Sequence, residues 1–161
     1  MDKAFAFRLA VNNDYERLLR CDPFAQIAHA RRTSLKVALK TQQIHVVECA
    51  EAIKGFVVIE HSFFGHAFVA LIAVAPTSRR QGYALALLAK SAQVCSSGKL
   101  FTSTNVSNIA AQKLFLRAGF VASGHIDNLD VDDTEIVYFK SVNPELSHSS
   151  PGRSDAHSGN T

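Results

Sequence analysis

The chain has 161 residues with 47% apolar and 19% charged side chains, the balance of a globular protein of one domain. Its net charge of +3 is small and no basic stripe is interleaved with aromatic residues, so we predict no nucleic-acid partner. No apolar run approaches the ~20 residues that span a bilayer, which argues against a membrane partner. Three widely spaced cysteines and no histidine pair at metal-ligand spacing predict a cytoplasmic protein with reduced thiols and no metal.

The first half of the chain predicts one strand, two helices and two further strands. Large apolar side chains alternate with smaller or charged ones at the start, which is the period of a strand. Asp22-Pro23 is typical of a helix start, with aspartate as the cap and proline at the first helical position. The predicted elements are strand 5–11, helices 12–20 and 22–40, and strands 44–49 and 53–63.

Residues 68–88 organise the rest of the chain: a buried strand, a short basic turn and a helix rich in Ala and Leu. Pro76 cannot donate to a β-ladder, so the strand ends before it. The turn Arg79-Arg80-Gln81-Gly82-Tyr83-Ala84 places two guanidinium groups beside the first N–H groups of a helix, where the macrodipole favours anions. These residues predict a site for a pyrophosphate or a similar anion. The alternative is an ordinary turn with two solvated arginines.

The second half predicts a helix, a strand, a helix and two strands, at 82–98, 99–104, 107–118, 121–126 and 134–140. Between the last two strands lies an acidic loop, residues 127–133. The loop lacks the Gly and the closing Glu of a 12-residue calcium loop, so we predict that it is solvated. Residues 1–142 form one predicted domain, and the serine-containing segment 143–161 is predicted to be a disordered polar tail.

Two motifs, in this order of elements, resemble the GNAT superfamily of N-acetyltransferases over about residues 4–141. Val74-Ala75-Pro76 followed by Arg79 to Ala84 is similar to the family's Gln/Arg-x-x-Gly-x-Gly/Ala signature after a strand. The segment from Asn108 to Phe120 is similar to Asn-x-x-Ala-x-x-Leu-Tyr-x-x-x-Gly-Phe. The resemblance implies an α+β fold with an α/β three-layer architecture. Its sheet would be mixed and mostly antiparallel, with about seven strands, about four flanking helices and a splay between the central strands.

The same resemblance implies acetyl-CoA as co-substrate and an amine as acceptor, with direct attack in a ternary complex. It is also compatible with a homodimer. The turn would hold the pyrophosphate, and the backbone of the central strand would pair with the pantetheine arm and offer an N–H near Val74 to the oxyanion. The implied cofactor-binding residues are Ile72, Ala73, Val74, Arg79, Arg80, Gln81, Gly82, Tyr83, Ala84, Asn108 and Phe115.

The chain departs from the family pattern at Phe115, where many relatives carry the tyrosine that serves as general acid. Phenylalanine cannot donate a proton, so another group, water or the substrate ammonium must protonate the leaving thiolate. The central strand also lacks the glutamate base of many relatives. Glu60 and His66 are candidates for the base, and Tyr138 is a candidate for the acid. The alternative for Glu60 and His66 is a solvated surface position.

Three functions are compatible with these residues. The preferred one is an N-acetyltransferase for a small-molecule amine. The others are an acetyltransferase for protein N-termini or lysines, and a non-catalytic CoA-binding regulatory domain. A generic nucleotide-binding protein is disfavoured, because the turn has no Gly-Lys-Ser/Thr to hold phosphate and magnesium.

Overall fold

The computed structural model describes residues 4–142, so the tail predicted over 143–161 lies outside the described residues. Short 3-10 turns over Asn12–Asp14 and Pro76–Ser78 precede α1 and α4. Within 4–142, no helix has the length and apolar character needed to cross a membrane. The helices and strands are β1 Ala6–Leu9, α1 Tyr15–Cys21, α2 Pro23–Ile27, α3 His29–Lys40, β2 Ile44–Cys49, β3 Ala52–Phe63, β4 His66–Val74, α4 Tyr83–Val94, β5 Lys99–Asn105, α5 Ile109–Arg117, β6 Val121–Asp130 and β7 Asp133–Ser141.

All seven strands belong to one sheet with the order β1-β2-β3-β4-β5-β7-β6. Five of the six strand pairs are antiparallel, and the pair of β4 with β5 is parallel. The connection from β4 to β5 carries α4, as a parallel pair requires. The predicted mixed, mostly antiparallel α+β fold of seven strands is therefore confirmed.

Two apolar clusters lie on opposite faces of the sheet. One packs α1, α2 and α3 against β2 and β3, with Leu18, Leu35 and Phe56 almost fully buried. The other packs α4 and α5 against the central strands, around Leu87, Leu100 and Phe115. Alternation along each strand sends successive side chains to these two layers, which yields the three-layer arrangement.

Residues 4–142 contain five α-helices where about four were predicted, because the helix predicted over 22–40 is interrupted. Ala28 is extended, with φ −102° and ψ 109°, and separates α2 from α3. Arg32 Nη1 donates to the carbonyls of Ala25 and Gln26 at 3.1 and 2.9 Å. This side chain satisfies carbonyl groups that the end of α2 leaves open, so the break costs little in lost hydrogen bonds.

The loop predicted over 127–133 is mostly strand. Asp127, Asn128 and Asp130 belong to β6, and the turn is confined to residues 131–132. The acidic groups bond within the protein: Asn105 Nδ2 donates to Asp130 Oδ2 at 2.8 Å, and Thr134 Oγ1 donates to Asp127 Oδ1 at 2.9 Å. These bonds hold the acidic end of β6 against the neighbouring strands, so the hairpin continues to the pair of Asp130 with Asp133.

A buried carboxylate ties β1, α1 and β2 together. Asp14 is 2% exposed and accepts bonds from Arg8 at 2.6 and 3.0 Å and from Arg17 at 3.0 Å. Both arginines also reach Glu48. The hydrogen bonds from Arg8 are the main cause that lowers the pKa of Asp14 from 3.8 to about 2.

Asp14→Asn is expected to destabilise the fold by about 2 kcal/mol at pH 7. Because the folded pKa lies below the unfolded value, this stabilisation is full above pH 3.8 and is lost as the pH falls toward 2. The free energy of unfolding in urea, compared at pH 7 and pH 3.5, should therefore show a difference between wild type and variant that shrinks in acid. Asp132→Asn, in the exposed β6–β7 turn, is the control. An equal decrease in the free energy of unfolding of the variant at both pH values would contradict the prediction.

Candidate cofactor and acceptor site

The central feature of the sheet is a splay between β4 and β5. The two strands pair only through Ala67–Leu100, Phe68–Phe101 and Val69–Thr102, although β4 continues to Val74 and β5 to Asn105. Thr102 Oγ1 donates to the carbonyl of Val69 at 3.0 Å and closes the vertex. Beyond it, residues 70–74 and 103–105 are not paired with each other.

A β-bulge at Ala70 coincides with this vertex. On β3, Val58 pairs with Leu71 and Ile59 with Val69, so Ala70 has no partner. A bulge bends its strand and increases the local twist. The bend of β4 therefore provides a physical reason for the separation from β5.

The bulge and the register decide which backbone groups face the splay. Ala75 N donates to the carbonyl of Lys54 at 2.8 Å, which makes Val74 a member of a non-hydrogen-bonded pair with Gly55. By alternation, the N–H and C=O groups of Ile72 and Val74 face the splay. Those of Ala73 face β3, which departs from the expectation that Ala73 also pairs with the pantetheine arm.

The turn after β4 leads to a cleft between α4 and α5. Arg80 has φ +59°, and Gly82, at the N-cap of α4, has φ +88°. The cleft has a volume of about 400 Å³. Six of the predicted cofactor-binding residues line it: Val74, Arg79, Arg80, Gly82, Tyr83 and Ala84.

Three of the cofactor candidates have side chains in different environments. Tyr83 sends its ring into the core against Phe5, so its contribution to the cleft is mainly its backbone; burial, with a hydrogen bond to Cys49, raises its pKa. Gln81 is exposed and donates to the carbonyl of Thr77 at 3.3 Å. Asn108 is not in the cleft lining, and its side chain caps α5 by accepting from Ala111 N at 3.2 Å.

Arg117 is a cleft residue that the sequence analysis missed. It lines the cleft with Ala110 and Leu114, which lie seven and three residues before it on α5. That spacing places the three on one face of a helix and was visible in the sequence. Arg79, Arg80 and Arg117 form no hydrogen bond or ion pair with any residue of 4–142. Three cationic groups are thus free to neutralise an anionic ligand.

Arg117→Gln is expected to weaken acetyl-CoA binding by roughly tenfold, because it removes one charged donor from the cleft. Calorimetric titration measures the dissociation constant directly. Lys113→Gln, one turn earlier on the same helix and outside the cleft lining, removes the same charge and should have little effect. Equal weakening in both variants would show that only the overall charge matters.

The two candidate bases lie at different distances from the vertex, on the side where β4 and β5 are paired. His66 starts β4, three residues before the vertex at Val69, so it lies about 10 Å along the strand on the closed side. Its Nδ1 is enclosed without a hydrogen-bond partner, next to Phe101. Glu60 pairs with Phe68, one row from the vertex, and lines a second cleft on the α3 face. The geometry thus favours Glu60 over His66 as a group near the reacting centre.

Tyr138 lies in the same row of the sheet as the vertex. It pairs with Thr102, which pairs with Val69. Its ring is 5.4 Å from that of Phe115, and the residue is 3% exposed. Its hydroxyl bonds to no residue of 4–142 and, unlike His66 Nδ1, is not fully enclosed. Burial raises the pKa of Tyr138, which keeps the hydroxyl protonated at neutral pH.

Comparison with known proteins agrees with this geometry. The model of the acetyltransferase (GNAT) family matches residues 6–120. The chain is similar to a GNAT-family acetyltransferase of Bacillus cereus ATCC 10987, with 33% identity, a TM-score of 0.79, and 86% of this chain and 97% of that chain covered. No curated protein matches it significantly.

Two further solved structures share the fold. A GNAT-family protein of Desulfovibrio desulfuricans has 22% identity and a TM-score of 0.72, with 87% and 100% of the two chains covered. The yncA protein of Salmonella typhimurium, solved with acetyl-CoA, has 13% identity and a TM-score of 0.68, with 93% and 99% covered.

The chain belongs to the GNAT family of acetyltransferases. The residues present fit an acetyl-CoA donor. The splay presents the backbone groups of Ile72 and Val74 to an extended arm, and the arginine-lined cleft adjoins the start of α4. Among residues 4–142, no group of three His, Cys, Asp or Glu side chains is arranged to hold a metal ion.

Proposed function

We propose that the protein transfers the acetyl group of acetyl-CoA to the primary amine of a small molecule, by direct attack within a ternary complex. The observation that carries this proposal is the splay, with unpaired backbone groups along it and three arginines in the cleft beside it. On the α3 face, a second cleft of about 430 Å³ reaches Ala70 and Leu71, the first residues beyond the vertex. This volume lies in the range of small-molecule sites, which supports a small acceptor.

The cofactor-side residues divide into two groups by position. Arg79, Arg80 and Arg117, with the free N–H groups at the start of α4, neutralise the pyrophosphate. Ile72 and Val74 pair with the pantetheine arm as an added strand would. Ile72 is the nearer of the two to the vertex, so its N–H is the donor that we assign to the charge developing on the thioester oxygen.

The acceptor-side chemistry begins with proton removal. Glu60 takes one proton from the ammonium group, and the free amine attacks the carbonyl carbon of the thioester. As the C–N bond forms, the C–S bond breaks and the thiolate leaves with its electron pair. Tyr138 donates its phenolic proton to this thiolate, and the second proton lost by the nitrogen restores the phenol. The net products are an amide, the free thiol and one proton released to solvent.

Release of free thiol from acetyl-CoA, measured with a chromogenic thiol reagent, tests this function. We expect release that depends on an added amine and saturates with it, together with an acetylated product of matching stoichiometry in mass spectrometry. Acetyl-CoA binding without thiol release, over amino acids, aminoglycosides, polyamines and short peptides, would contradict the proposal and favour a regulatory role. Turnover with peptides alone would favour a protein acetyltransferase.

A further inference from the structure

The cleft on the α3 face holds two opposite charges that do not neutralise each other. Arg31 on α3 and Glu60 on β3 both line it, together with the apolar residues Val58 and Leu71. The two side chains form no ion pair with each other. A cleft that keeps a cation and an anion apart, with apolar walls around them, is complementary to a ligand bearing both charges.

Arg31 is held in place by contacts that leave most of its donors free. Its Nη1 donates to Asp22 Oδ2 at 3.1 Å, and its guanidinium carbon lies 5.1 Å from the centre of the Phe24 ring. Asp22 is 7% exposed, so this anchor is itself fixed in the fold. A guanidinium has five N–H donors in a planar fork suited to a carboxylate, and this one uses a single donor within residues 4–142.

Glu60 is the unpaired partner charge. It forms no hydrogen bond or ion pair with any residue of 4–142, although it is half-buried. It stands one row from the vertex of the splay, in the pair with Phe68, while Arg31 lies in the first turn of α3. An ammonium at Glu60 therefore lies one row from the reacting centre.

We propose that the acceptor is a small amine that also carries a carboxylate, as amino acids do, with Glu60 receiving the ammonium and Arg31 the carboxylate. This inference rests on the proposed acetyl transfer and names its substrate class. Glu60 takes the same ammonium proton as in the acetyl transfer proposed above, so no further reactant is needed. Arg31 acts on binding and Glu60 on binding and proton removal.

The test compares three forms of each acceptor: the amino acid, its methyl ester and the corresponding amine without the carboxyl group. For wild type, we expect kcat/KM to be at least tenfold higher for amino acids. Arg31→Gln should raise KM for the amino acid on the order of 10- to 100-fold, while leaving the ester and the amine unchanged. Arg31→Lys should restore part of the affinity.

Arg20→Gln is the matched control, because it removes the same charge from an exposed position on α1 outside this cleft. Equal use of amino acids, esters and simple amines, or an equal effect of Arg31→Gln on all three, would overturn this inference and leave acetyl transfer standing. Absence of turnover with every amine would instead overturn the proposed function. In that case, calorimetric titration of the protein–CoA complex with amino acids still decides whether the cleft binds them.

Discussion

Gly82→Asp is expected to weaken acetyl-CoA binding severely, raising the dissociation constant on the order of 100- to 1,000-fold. The variant places a carboxylate beside Arg79 and Arg80, where the pyrophosphate is proposed to lie, and like charges about 4 Å apart repel by about 4 kcal/mol at an effective dielectric constant of 20. A side chain at Gly82 meets open space, so the loss does not come from a clash with the protein. Calorimetric titration with acetyl-CoA measures the dissociation constant of the variant and of wild type.

Two variants separate charge from backbone strain. Gly82→Asn adds a neutral side chain of the same shape at the same φ of +88°, and we expect it to retain much more affinity than Gly82→Asp. Gly65 has a similar φ of +78° and open space around it, but it lies in the β3–β4 turn away from the cleft. Gly65→Asp should therefore bind acetyl-CoA as wild type does. Equal affinities in Gly82→Asp and wild type would refute the pyrophosphate assignment.

Tyr138→Phe is expected to lower kcat by about 100-fold or more, the range of general acid catalysis, with acetyl-CoA affinity unchanged. The variant removes only a hydroxyl, and the ring contact with Phe115 is kept. Because the pKa of Tyr138 is raised, the wild-type rate should fall only in strongly basic solution, and the variant should lose that limb of the pH profile. Steady-state kinetics from pH 7 upward measures both effects.

The neighbouring ring provides a rescue. Phe115 and Tyr138 have ring centres 5.4 Å apart, so Phe115→Tyr in the Tyr138→Phe background returns a hydroxyl on the neighbouring ring. We expect the double variant to recover much of the lost rate. Tyr15→Phe, on α1 and beside Lys36, controls for removal of a tyrosine hydroxyl elsewhere. Full activity in Tyr138→Phe would show that water or the substrate protonates the thiolate.

Residues with strict backbone requirements made most of the fold predictable. Pro76 marks the end of β4, and Gly82 provides the left-handed conformation in which α4 starts. The bounds predicted for β2 and β3, 44–49 and 53–63, lie within one residue of those observed. These signals are local, because each depends on the dihedral angles or the side-chain period of a few neighbouring residues.

Two of the features that the sequence analysis missed depend on contacts that no local side-chain period marks. The bulge at Ala70 follows from the register of β4 against β3, and nothing in the local sequence marks that residue. The break at Ala28 depends on Arg32 reaching back to the end of α2. Arg117 is different, because its helical spacing to Leu114 and Ala110 was visible in the sequence. The sequence did not show that this face of α5 lies opposite α4 and forms a cleft with it.

The short pairing between β4 and β5 leaves backbone amides of β4 exposed to exchange with solvent. Three residue pairs join these strands, whereas seven join β5 to β7. The amides of Ile72 and Val74 have no partner across the splay, so they should exchange their hydrogens quickly in the free protein. A donor that bonds to them as an added strand protects these amides and binds only to the folded sheet. Saturation with acetyl-CoA should thus slow this exchange and raise the melting temperature, making the co-substrate a structural strand as well as a reactant.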